Sequence, residues 1–120
     1  MKFPEMPYER PDMDEVKQHL ASLTAALTAT KTYDEAKQVF LEEEKLSSHI
    51  QTLFALAYIR HSIDTRDAFY DGEMKFWNAA MPALGETSQA WTKAMLDSAF
   101  RPDFAREYGD VMFTVSYTHL

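Results

Sequence analysis

Between Met13 and Leu27 the apolar residues Met13, Val16, Leu20, Leu23 and Leu27 recur at steps of three and four, which puts them on one face of an α-helix. Asp12 can cap that helix, and Asp14 and Glu15 in its first turn complement the positive end of the helix dipole. Its end is expected near Ala29. A second stripe, Ala36, Val39, Leu46, Ile50, Leu53 and Ala57, holds one phase from a start at Thr32 or Asp34 to about Arg60 and predicts a helix of about eight turns. Glu43 falls on this stripe and interrupts it. The expectation is therefore a lower half less completely buried than the upper half, with Glu42, Glu43 and Glu44 forming a solvated face.

Tyr70, Met74, Trp77, Met81 and Leu84 mark a third helix, closed by Pro82 and Gly85. The pattern leaves open whether it continues from the second through His61 to Thr65 or starts afresh at Asp64. A fourth helix is predicted over Gln89 to Ala99, with Trp91, Ala94 and Met95 on one side, and Pro102 permits a short fifth through Tyr108. No run shows the alternation of a half-buried strand, and no repeat or low-complexity tract occurs. The predicted fold is all-α, an antiparallel bundle of four to five helices, one of them long.

Composition narrows the picture. A chain of 120 residues with 46% hydrophobic content suits one compact domain or part of a larger one. Twelve Lys and Arg against nineteen Asp and Glu give a net charge of -7, which repels phosphate backbones and anionic lipid and argues against nucleic acid or membrane as a partner. No stretch is long and apolar enough to span a bilayer, and Met1 to Pro11 lacks the regions of a secretory signal, so a cytoplasmic protein is the expectation. There is no cysteine. Disulfides and thiolate zinc sites are excluded together, and a metal would need His and carboxylate ligands.

Those ligands do not fall into a metal pattern. His49 and His61 share the middle of the chain with Asp64 and Asp67, yet the two histidines are twelve positions apart, whereas a helical zinc pair sits at i and i+4. The Glu-x-x-His repeat of a bundle di-iron site is absent. A structural or surface role is expected for each His, with Glu15 and His19 as a surface pair at i and i+4. Ser62 beside His61 is no dyad, since adjacent residues on a helix face apart. Three scattered glycines, Gly72, Gly85 and Gly109, cannot form a phosphate-binding loop. The aromatic group Tyr70, Phe76, Trp77 and Trp91 could stack a ligand, but helical spacing favours core or interface. The densest polar stretch runs from Tyr58 to Tyr70; if buried, its Arg60, Asp64, Arg66 and Asp67 should form a charge network, because an unpaired buried charge costs roughly 3–5 kcal/mol.

At this stretch, and at the lead from Met6 to Met13, the chain resembles the N-terminal region of the oligoendopeptidase F family, zinc metallopeptidases related to thimet oligopeptidase. The likeness extends through Phe69, Tyr70, Asp71, Gly72 and Glu73, through Leu96 to Pro102, and through Arg106 to Gly109, and covers nearly everything from Lys2 to about Phe113. The resemblance implies a much longer helical enzyme. In that family a channel between an N-terminal and a catalytic lobe admits short peptides, and a His-Glu-x-x-His helix with a downstream Glu binds zinc, which activates water. The motif is absent here, so no catalytic, cofactor-binding or metal-ligating residue carries over to this chain. What carries over is a structural role: helices that wall the channel and pack on the catalytic lobe.

Residues 1–114 are accordingly expected to be an N-terminal lobe segment, and 115–120, where more helix is expected by resemblance, a truncated or non-native tail. Two readings from other classes stand beside this one. A self-sufficient helical interaction module would use the Met and aromatic stripes as an adaptable surface. A stand-alone metal enzyme would bind stoichiometric zinc or iron.

Overall fold

The structure, a computed structural model, describes residues 7–109. Five helices follow in order: α1 (Met13–Ala29), α2 (Tyr33–Ile63), α3 (Ala68–Ala83), α4 (Gly85–Asp97) and α5 (Arg101–Tyr108). The expectation for residues 115–120 lies outside the described residues. No strand occurs among the described residues, and the all-α bundle is as the hydrophobic periodicity predicts.

Local chemistry sets the boundaries. The Asp12 side chain accepts from the backbone N–H groups of Asp14 and Glu15 and starts α1. Thr32 and Glu35 form a reciprocal capping box at the start of α2. Thr32→Ala removes half of it and is expected to cost about 1 kcal/mol, read as a lowered urea midpoint in helical dichroism. An unchanged midpoint would show that packing alone fixes this end.

At 31 residues, α2 spans about 46 Å at ~1.5 Å per residue, nearly the 50 Å long dimension of the molecule. It is the spine: α1 packs on it and on α4, and α3 packs on its distal part. Two apolar clusters lie along it. One gathers Leu20, Leu27, Phe40, Trp91, Met95 and Phe104; the other gathers Ile50, Leu53, Ala57 and Trp77. Leu46 touches both.

Several boundaries and faces differ from the sequence expectation. Glu43 does not lie on a solvated face: it is only 7% exposed, while Glu42 and Glu44 are exposed. It sits on the inward stripe between Phe40 and Ile50, and the hydroxyl of Ser47, one turn on, donates to its carboxylate at 2.5 Å. Nor is the distal half of α2 less covered, since Ile50, Leu53, Leu56 and Ala57 are all buried. Helix α2 runs through residues 60–63, and the break falls at 64–67, so α3 starts neither in continuity with α2 nor at Asp64. Asp67 starts it by accepting from the N–H groups of Phe69 and Tyr70. Helix α4 begins at Gly85 rather than Gln89, because Leu84 stays in the helical region (φ -79°, ψ -8°) and serves both as the C-cap of α3 and as the N-cap of α4. It ends at Asp97 rather than Ala99, where Ser98 turns extended. Gly109 closes α5 at φ 91°, a conformation that suits glycine.

Candidate functional site

The most developed polar constellation joins the N-terminal lead to α3. Pro7 and Pro11 bracket Tyr8 and Arg10, and proline disfavours helix in the residue before it. The lead therefore stays outside the helices and lies against Glu73. The Tyr8 hydroxyl donates to Oε1 of Glu73 at 2.6 Å. Arg10 donates twice, from Nε to Oε1 at 3.2 Å and from Nη2 to Oε2 at 2.5 Å, the fork geometry that strengthens an arginine–carboxylate pair. Trp77, one turn beyond Glu73, donates its indole N–H to the Tyr8 oxygen at 3.0 Å. Apolar contacts finish the joint: Tyr8 meets Phe69 and Tyr70 edge-on, and the Arg10 guanidinium lies 4.4 Å from the centre of the Phe76 ring.

Glu73 is 4% exposed, so it depends on these donors. The bonds from Arg10 hold its carboxyl below the ordinary carboxylate value, against the opposing effect of burial. Burial, followed by the bond to Glu73, pushes the Tyr8 phenol up to about 12. Each group is committed to a partner within the constellation, which makes it a structural clasp rather than a reacting centre. A second clasp holds α5: Glu107 accepts from the Tyr33 hydroxyl and the Lys37 ammonium. Its carboxyl is drawn down by Lys37 first and Tyr33 second.

The residues weighed for chemistry do not converge. His49 is exposed, while His61 reaches the Asp71 carboxylate at 3.6 Å. Ser62 donates to the Tyr58 carbonyl at 2.9 Å, within its own helix. Among the described residues no ion pair joins Glu15 and His19, and no three His, Asp or Glu side chains gather as metal ligands. Arg66 pairs with Asp64 at 3.7 Å on an exposed turn, Asp67 serves as a cap, and Arg60 donates to the Tyr70 hydroxyl at 2.9 Å. The buried four-residue charge network does not form, because the segment is at the surface. Trp77 and Trp91 belong to separate clusters.

A groove of about 620 Å³ lies along α2. Leu20, Phe40, Ile50, Met81 and Trp91 line it together with Glu43, whose carboxyl burial pushes above its ordinary value.

The first clasp links two stretches that carry the family resemblance, the lead and Phe69 to Glu73; the second ties a third, Arg106 to Gly109, to the start of α2. Sequence reasoning did not foresee either pairing; the only trace of the first is a Tyr and an Arg bracketed by prolines. The Peptidase M3 N-terminal domain family matches residues 3–120. Three solved structures share the fold. An oligoendopeptidase F from Bacillus anthracis str. Ames superposes with a TM-score of 0.90 at 32% identity, over 94% of this chain and 21% of that one. A second oligoendopeptidase F gives 0.89 at 26% identity, over 94% and 20%. PZ peptidase A with inhibitor 2 gives 0.88 at 28% identity, over 93% and 20%. This chain thus spans about one-fifth of the length of these structures. No curated protein matches it. With the family matched over nearly the whole sequence and the helices superposing throughout, the chain belongs to the Peptidase M3 N-terminal domain family.

Proposed function

We propose that this chain is the N-terminal helical portion of a cytoplasmic zinc oligopeptidase, which walls the substrate channel and packs on a catalytic lobe without doing chemistry itself. The observation that carries the reading is the family match over residues 3–120, set against solved peptidases about five times as long. Zinc is the metal the family implies, and the described residues do not fit it. They bring no three metal ligands together, and the sequence has no cysteine and no His-Glu-x-x-His. The zinc and the activated water belong to residues outside this chain.

Surface chemistry favours a packing role over an independent module. Tyr58, Ile59, Ile63 and Phe69 are all exposed around the turn between α2 and α3, large apolar groups that a second body would cover. No helix among the described residues is long and apolar enough to cross a membrane. The test is hydrolysis of a quenched fluorescent oligopeptide by the purified 120-residue chain, with added zinc and with chelator. The expected result is strong helical dichroism, binding of an apolar dye, and no zinc-dependent turnover. Turnover that requires zinc and co-purifies with the chain overturns the reading.

A further inference from the structure

Seven large apolar side chains are exposed among the described residues, and four of them, Tyr58, Ile59, Ile63 and Phe69, flank the turn between α2 and α3. The core stripe of α2 explains their placement. Leu53, Leu56 and Ala57 take its inward side, and the helical period then turns Tyr58, Ile59 and Ile63 outward. Two of the rings are already held: Tyr58 stacks on Phe54, and Phe69 meets Tyr8 edge-on, so covering them costs little side-chain freedom. The charges here also differ from those of the chain as a whole. From Tyr58 to Tyr70 two arginines, Arg60 and Arg66, balance two aspartates, Asp64 and Asp67, whereas the whole chain carries -7. A net charge of that size opposes the approach of a second copy, and at this turn the opposition is absent.

We propose that two copies of this chain pair end to end through the α2–α3 turn, about a two-fold axis, with Ile59, Ile63 and Phe69 of each copy against the other and Arg66 of each reaching Asp64 of the second. A second copy is the partner that the turn itself specifies. Asp64 and Arg66 stand two positions apart on an exposed turn, so a two-fold axis between them sets each charge opposite its complement. Within one copy the two are 3.7 Å apart, and the Arg66 side chain is 94% exposed; such a surface pair contributes little and is readily exchanged. In a complete peptidase the catalytic lobe would claim this face. The pairing belongs to the 120-residue chain and does not depend on the peptidase reading.

Sedimentation equilibrium of the purified chain measures the pairing. The expected Kd is on the order of 0.1 mM, weak because four large apolar side chains per copy make a small interface. X-ray scattering at concentrations above that value should give a particle close to twice the 50 Å length of one copy. Ile63→Lys replaces the most exposed of the four, at 76%, with a residue that suits the last turn of a helix. Helical dichroism should therefore persist while Kd rises about tenfold or more. Lysine also lowers the net negative charge, so greater repulsion cannot be the cause of that loss. Arg66→Asp and Asp64→Arg should each abolish self-pairing, and an equimolar mixture of the two should restore it, which a merely sticky surface would not do. A chain that stays monomeric throughout, an Ile63→Lys variant that pairs as well as the parent, or a mixture that does not recover overturns the proposal and leaves the peptidase reading intact. Zinc-dependent turnover by the chain alone would overturn that reading without bearing on the pairing.

Discussion

Trp77→Ala is expected to destabilise the chain by about 3–5 kcal/mol, the usual cost of truncating a buried tryptophan. Trp77 is fully buried among Ile50, Leu53 and Ala57, and its ring also meets Phe54 and Phe76 edge-on. Its removal opens a cavity between α2 and α3 and strands the Tyr8 oxygen that its indole N–H serves. Against a total stability of roughly 5–15 kcal/mol for a domain, the loss takes much of what is available. Urea unfolding followed by helical dichroism measures it. A change under about 1 kcal/mol would mean that the α2–α3 contact contributes little to the folded state.

Glu73→Gln is expected to have the next largest effect, about 2 kcal/mol near neutral pH, because hydrogen bonds to a charged group are among the stronger ones. The amide can accept at one atom where the carboxylate accepts Tyr8 and both Arg10 bonds at two. The pH dependence identifies the cause. The folded-state value of Glu73 is lowered, so its contribution is fully present above the unfolded value near 4.5 and is lost as pH falls through the folded value. Glu43 has the opposite sign. Its raised value means that the folded state binds the proton more readily, so its contribution falls as pH rises through the folded value. Melting curves from neutral pH downward should therefore show Glu73→Gln losing its disadvantage in acid, and Glu43→Gln being more stable than the parent at neutral pH but not in acid. Parallel profiles for parent and Glu73→Gln would remove the ion pair as the source of the clasp's stability.

The helices themselves were legible because their evidence is local. Period, caps and proline punctuation are written into neighbouring residues, and Asp12, Thr32 and Pro102 each mark a real start. What could not be read depends on what a residue meets across space. Glu43 looks like one of three equivalent glutamates, and only the helices packed around α2 separate it from Glu42 and Glu44. Gly85 looks like a terminator, yet the αR conformation of Leu84 lets one helix follow another without a loop. The clasp was invisible for a further reason: Tyr8 and Glu73 are 65 positions apart, and no periodicity in one sequence pairs residues at that distance. The family resemblance located the right stretches but not that they touch.

That separation has a consequence during synthesis. Tyr8 is made before its partner, since Glu73 follows 65 residues later, a delay of roughly 3–13 s at ~5–20 residues per second. For that interval Tyr8 and Arg10 have emerged, or are emerging, with nothing to hold them, while α1 and the first turns of α2 can already pair through their short connection. The stretch holding Tyr8 and Arg10 is thus made early and fastened late, and a nascent chain halted before α3 would leave it loose, open to proteases and to any host factor that handles nascent chains.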